Sequence, residues 1–406
     1  MVKRVWIFLL CLCLMTVSVT ANGGRMLYDE SGGETLESLL EADVAAWPTV
    51  AAVTEGQPLE VKAKGAILMD QATGTVLYEK ESKLHLPIAS VTKVMTLLLV
   101  MEALEEGKIK WDDSVTCSDT AASMGGSQIW LEPGEVMSVL ELVKAAAVVS
   151  ANDACAALAE HISGSISGFV KRMNDRAAEL GLKDTVFQDC SGLDDTGYSC
   201  AYDVAVISRE LMTHKEIEKF TTIWMDSLRG GESQLVNTNK LVRHYTGATG
   251  LKTGTTNAAG HCLSATARRE ETAFVAVVLG CATTADRWQG ARTLLDYGFA
   301  SYTAYTPEVA KLQPVKVLRG QSASVPVEVS RPQTLLVEKG AETTITTEME
   351  LPEDLQAPVT KGQTVGVWRL KNGDKVLGEY PICATRDVPV VDLRWAYRLL
   401  VDSLLA

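Results

Sequence analysis

The sequence predicts an α+β fold: an antiparallel sheet with helices over residues 61–303, a small all-β domain over 308–386, and a C-terminal amphipathic helix over 392–406. Three observations lead there. At 406 residues the chain is longer than one average domain. Strand-like and helix-like apolar runs are interleaved up to about residue 303. Past Pro307 the pattern changes to apolar–polar alternation broken by turn signals. A composition of 47% hydrophobic and 22% charged residues is that of a globular chain with a proper core.

The first 21 residues read as a secretory signal. Lys3 and Arg4 form a basic start, Val5 to Met15 is almost wholly apolar, and Val19-Thr20-Ala21 offers small residues for cleavage. That run is short for a membrane span, and no later segment reaches the ~20 apolar residues a spanning helix needs. Residues 22–60 form an acidic leader with one helical pattern around Leu36 to Trp47.

From Gly65 two β-rich runs, Ala66 to Met69 and Thr75 to Tyr78, flank a turn ending at Gly74, which makes a hairpin. Pro87 precedes Ser90, and Val91 to Leu104 is an apolar helix, so Ser90 falls at a helix N-terminus. Residues 137–162 and 167–181 read as two more helices, the second closing at Gly181 as a C-cap. A loop-rich stretch, 182–200, leads to a helix from Asp203 to Met212. Cys262 to Arg268 and Thr272 to Cys281 read as strands, and Arg287 to Tyr297 as a helix.

In the second domain, Val325-Pro326-Val327-Glu328-Val329 alternates, and Asn372-Gly373 between two β-rich runs is the strongest short-range hairpin signal. In the last segment Leu393, Ala396, Tyr397, Leu400, Val401 and Leu404 share one helical face. About 15 residues at 1.5 Å each fall short of a bilayer core, so such a helix suits the membrane interface or packs back onto the protein. Asp392 and Asp402 beside Arg394 and Arg398 give it no net attraction to anionic lipid.

A net charge of −13 argues against nucleic acid as a partner, because phosphate binding needs clustered Lys and Arg. Seven cysteines follow the signal, without regular spacing. They read as buried small hydrophobes, with a Cys190–Cys200 bridge as the alternative. No Cys or His cluster with ligand spacing indicates a metal, and none of the five histidines is marked as a ligand. No cofactor is implied.

Three short motifs carry the chemistry: Ser90-Val91-Thr92-Lys93, Ser150-Ala151-Asn152 and Lys252-Thr253-Gly254. Each alone is weak, and their order and spacing together are specific. A serine hydroxyl needs an adjacent base to act as a nucleophile. Lys93, one helical turn on, shares Ser90's face, and its pKa must be lowered by burial or by a cation such as Lys252. Ser150 can relay a proton and Asn152 can hold a substrate carbonyl. Lys252 and Thr253 offer an ammonium and a hydroxyl to a carboxylate, and Gly254 lets another backbone approach.

With these motifs the chain resembles the serine-type D-alanyl-D-alanine carboxypeptidases, the low-molecular-mass penicillin-binding proteins. The likeness extends through Phe169-Val170, Met173-Asn174, Leu180-Gly181-Leu182, Ser191-Gly192-Leu193, Tyr202-Asp203, Asn237 to Leu241 and Leu294 to Phe299. It covers about residues 60–303 and implies a β-lactamase/DD-peptidase-like catalytic domain. By this resemblance Ser90 is acylated by the penultimate D-alanine of a peptidoglycan stem peptide, Lys93 is its base, and Ser150 and Lys252 assist proton transfer. Asn152 holds the acyl-side amide, and Thr253 with Arg287 binds the terminal carboxylate. The N–H groups of Ser90 and Thr255 form the oxyanion hole. β-Lactam antibiotics are implied as covalent ligands, and the bacterial cell envelope as the location. Ala151 stands where the family commonly has glycine.

Two other readings stay open at this point. A β-lactamase shares the acylation apparatus, but no Glu-x-x-Leu-Asn segment lies between Ser150 and Lys252 to activate a deacylating water. A non-catalytic wall-binding or penicillin-sensing protein would have no need of all five polar motif residues.

Overall fold

The structure, a computed structural model, describes residues 59–309, 311–330 and 334–405. The signal and leader readings fall on residues outside this range. A five-stranded antiparallel sheet has the order β2-β1-β5-β4-β3, from β1 (Gly65–Asp70), β2 (Val76–Lys80), β3 (Ala248–Thr256), β4 (Gly260–Arg269) and β5 (Thr272–Cys281). Helix α1 (Lys93–Glu105), α2 (Val139–Val148), α3 (Asn152–Ser163), α4 (Ile166–Glu179), α5 (Ala201–Leu211) and α6 (Thr284–Ser301) complete this part.

The sheet is buried on both faces, which is why β1 and β5 read as continuous apolar runs. Ile67, Met69, Val275 and Val277 point into one core with α1 and α5. Ala66, Leu68, Phe274 and Ala276 point into the other, against Leu294 and Leu295 of α6. Helix α1 is apolar all round because it runs through the first core, where Leu97, Leu98 and Leu99 are almost fully buried. Cutting any of these leucines to alanine costs about 2–5 kcal/mol.

One predicted helix is two. Residues 137–162 break at Val149–Ala151, where Ser150 adopts φ 65°. Helix α2 starts on a capping box between Ser138 and Glu141. Helix α4 ends as expected, with Gly181 at φ 74° and Leu182 N–H bonding the Ala177 carbonyl. Helix α6 exceeds its prediction at both ends, and at its start Thr283, not a residue nearer Arg287, caps it by accepting from the Asp286 N–H.

Strand β6 (Tyr302–Tyr305) leads into the second part, with β7 (Val315–Leu318), β8 (Val327–Val329), β9 (Leu335–Glu338), β10 (Ile345–Glu350), β11 (Thr364–Asn372) and β12 (Lys375–Ala384). Its inward positions, Val327 and Val329, Trp368 and Leu370, Ile382 and Ala384, form a separate apolar core. β9 pairs with β6, so the two parts share a ladder, and backbone pairing continues past residue 386 to Val391. The β11–β12 turn is Gly373-Asp374, one residue beyond the predicted Asn372-Gly373, because Asn372 pairs with Lys375.

Helix α7 (Leu393–Leu405) does not pack back: Leu393 is 90% exposed and Leu404 77%. No helix among the described residues is long and apolar enough to cross a membrane. All seven described cysteines are free, Cys190 and Cys200 included.

Candidate active site

Ser90 sits in a 3-10 turn, Ala89–Thr92, that runs directly into α1, so Lys93 opens the helix one turn from the serine. Lys93 is fully buried. Its Nζ donates to Ser90 Oγ at 2.9 Å, to Asn152 Oδ1 at 2.6 Å and to the Ser191 carbonyl at 2.8 Å. Burial lowers its pKa below the ordinary lysine range, because a charged amine there has lost its water. Nearby carboxyl and thiol groups oppose the shift without being its main cause. The depression thus comes chiefly from desolvation, the first of the two causes the sequence offered.

The break between α2 and α3 brings the second motif to the same point. Ser150's left-handed backbone turns the chain, and its buried Oγ has no hydrogen-bond partner among the described residues. A buried hydroxyl without a partner costs about 1–3 kcal/mol, so its retention marks a position held for something else. Asn152 opens α3. Its N–H donates to the Ser127 carbonyl at 2.7 Å and its Nδ2 to the Gly125 carbonyl at 2.7 Å. Its carbonyl oxygen therefore orients Lys93 here, a task beyond the substrate contact expected from the sequence.

The third motif lies on β3, packed against the Ser90 turn. A Cβ on Gly254 would sit 2.8 Å from the Ile88 carbonyl oxygen and 2.9 Å from the Ser90 nitrogen, so only glycine lets the strand come this close. Gly192 is tighter still: at φ 83°, its Cβ would lie 1.9 Å from the Ala89 carbonyl oxygen. Asp189 holds that loop by accepting from the Ser191, Gly192 and Asp194 N–H groups.

Ser90, Ser150, Asn152, Thr253, Gly254 and Thr255 line one open cleft of ≈ 640 Å³. Lys252 is buried behind it, its Nζ 2.9 Å from the Thr253 carbonyl oxygen. Thr253 Oγ1 donates to Thr238 Oγ1 at 2.8 Å. Arg287 is buried and reaches the cleft through Thr255, whose Oγ1 accepts from it at 3.1 Å. It stands behind the wall that Thr255 forms.

Sequence reasoning missed Thr238, the Ser191 carbonyl, His261 and the Gly125-Gly126-Ser127 turn, all now at the cleft or its buried base. The family-like segments Ser191-Gly192-Leu193 and Asn237 to Leu241 and the paired glycines at 125–126 were visible signals, though none was given a role at the site. Asp184, Cys200 and Asp203 are close enough to share a metal, but hydrogen bonds already engage them. Asp203 accepts from Lys83, Thr185 and the Asp184 N–H, and Cys200 from the Asp203 N–H.

A nucleophile hydrogen-bonded to a buried amine, an unspent hydroxyl opposite and a cationic floor together suit acyl transfer next to an anionic group. A family model described as D-alanyl-D-alanine carboxypeptidase matches residues 51–283, and one described as the penicillin-binding protein 5 C-terminal domain matches 307–390. The D-alanyl-D-alanine carboxypeptidase DacF of Bacillus subtilis is 44% identical over 337 residues, 80% of this chain and 86% of that protein. DacC of Escherichia coli is 33% identical over 81% of this chain and 84% of its own. Penicillin binding protein 5 of Haemophilus influenzae superposes with a TM-score of 0.72 at 31% identity, covering 82% of this chain and 99% of that one. With a family model over more than half its length and relatives of this identity along most of it, the chain belongs to the D-alanyl-D-alanine carboxypeptidase family of serine peptidases.

Proposed function

We propose that this cleft removes the terminal D-alanine of peptidoglycan stem peptides through an acyl-enzyme on Ser90. The observation that carries the reading is the 2.9 Å contact between Ser90 Oγ and a Lys93 amine whose pKa burial has lowered. The enzyme is a serine D-alanyl-D-alanine carboxypeptidase of the cell wall that also binds penicillin.

Neutral Lys93 takes the Ser90 proton as Oγ attacks the penultimate carbonyl carbon. The negative charge that develops on the carbonyl oxygen falls between the N–H groups of Ser90 and Thr255. As the C–N bond breaks, Ser150, whose hydroxyl has no partner among the described residues, passes a proton to the leaving amine. Lys252 supplies positive charge beneath the terminal carboxylate, and Thr253 with its partner Thr238 supplies hydroxyls. Water then hydrolyses the ester and frees Ser90. Asn152 holds the base in register and offers its amide to the acyl side. Arg287 acts through Thr255. A β-lactam carbonyl enters the same position, and its amine cannot depart, so the ester persists.

Intact-mass measurement after incubation with benzylpenicillin, followed by peptide mapping, tests this. One adduct on Ser90, lost in Ser90→Ala, is expected, and an adduct elsewhere would overturn the assignment.

The export signal at residues 1–21 and a place at the outer face of the cytoplasmic membrane belong to the same reading. Its support is α7, whose Leu393, Tyr397, Leu400 and Leu404 stand in solvent on one side. Co-sedimentation with phosphatidylcholine vesicles should be lost on deletion of residues 392–406. Binding that survives the deletion would end the anchor reading.

A further inference from the structure

Trp130 is a large aromatic with φ 58°, in a loop beside the cleft, and its side chain is 44% exposed. A bulky residue in that conformation costs of order 1–3 kcal/mol and persists only where its surroundings impose it. Buried Asp153 does so. Its carboxylate accepts from the Ile129 N–H at 3.1 Å and from the Leu131 N–H at 3.0 Å, the two residues that flank Trp130. The flanking side chains point inward, with Ile129 1% and Leu131 4% exposed, and the indole is turned out between them. Trp130 belongs to neither apolar core of the catalytic part.

Outside, Trp130 lines a shallow hollow of ≈ 290 Å³ with Asp119, Ser123 and Gln128. A flat aromatic face ringed by carboxylate, hydroxyl and amide groups suits a pyranose: its C–H face stacks on the ring and its hydroxyls bond the rim. The hollow adjoins the catalytic cleft along the chain. Ser127 lines the cleft and Gln128, the next residue, lines the hollow. Two residues separate Ser127 from Trp130, three chain steps or at most about 11 Å. Four extended residues, the length of peptide between the scissile bond and the sugar, reach about 14 Å.

We propose that Trp130 is the platform of a sugar subsite that takes the amino-sugar unit from which the stem peptide hangs. This rests on the carboxypeptidase reading of the cleft. It makes the enzyme a reader of the glycan as well as of the peptide end.

The test uses Ser90→Ala protein, which binds substrate without consuming it, and calorimetric affinities for a disaccharide pentapeptide and for the same pentapeptide without sugar. The sugar should tighten binding, and Trp130→Ala should reduce that advantage by about three- to tenfold. Trp130→Gly, which relieves the backbone, should reduce it equally with a Tm no lower than the parent's. An advantage untouched by both variants would overturn the sugar platform alone. Failure of the Trp130-bearing protein to bind either peptide would overturn the reading of the cleft itself.

Discussion

The catalytic part and the C-terminal β domain bury different things. Residues 59–305 enclose Lys93, Lys252, Arg287, Asp153 and many hydroxyls within their cores, whereas the described residues from 311 to 391 bury only apolar side chains. Backbone strain follows the same division. Among the described non-glycine residues, Glu81, Ala89, Trp130, Ser150, Arg229 and Glu270 have positive φ in the catalytic part, with Ser150 in the cleft wall and Ala89 next to Ser90, and Arg319 has it in the second part. Buried polar groups and left-handed non-glycine residues cost stability, so a fold keeps them where something besides stability requires them. The described part of the β domain keeps an apolar interior, and the cleft trades stability for chemistry.

The sharpest way to break this contrast is at Lys93. Lys93→Ala should slow penicillin acylation of Ser90 by about 10²–10⁴-fold in protein that remains folded by circular dichroism. In the parent enzyme only the neutral amine accepts the serine proton. Acylation should therefore rise with pH through a pKa below the ordinary 10.5 of lysine and flatten above it. A rate flat with pH, or a near-normal rate in the variant, would mean that buried charge does not mark chemistry here.

A smaller effect should come from the substrate's carboxylate. Amidating the C-terminus of a D-Ala-D-Ala peptide removes the charge that faces Lys252 and Thr253. A charge-assisted hydrogen bond of roughly 1.5–3 kcal/mol translates to about a 10- to 100-fold fall in kcat/KM. Equal turnover of acid and amide would leave the nucleophile in place and point to cleavage of internal bonds.

The smallest kinetic effect should accompany a large structural one. Trp368 is 2% exposed in the β-domain core, and Trp368→Ala should cost about 3–5 kcal/mol in denaturant unfolding of that domain. Penicillin acylation should stay within about twofold of the parent. A fall comparable to that of Lys93→Ala would show that the β6–β9 ladder transmits the state of one part to the other.

Local pattern carried much of the fold. The alternation of β8, β11 and β12, the all-round apolar character of α1 and the Gly181 cap were legible because side-chain period and backbone sterics act over a few residues. Ser90, Lys93, Ser150 and the Lys252 motif were legible because three short motifs in that order form a signature of serine–lysine acyl transfer. The break at Ser150 was not, since Ala-rich residues on both sides favour one continuous helix. Nor was the hairpin turn at Gly373-Asp374, where pairing along the whole of β11 and β12 set the register.

Sequence by itself thus determined which chemical groups this protein brings to its site and the kind of element that holds each. Tertiary structure decided what state those groups are in. Lys93 loses its water because α3 and the Ser191 loop close over it. Arg287 stands behind Thr255, and Gly254 is needed because the Ser90 turn lies against β3. Desolvation and close approach are sums over neighbours far apart in the chain, and no short stretch of residues contains them.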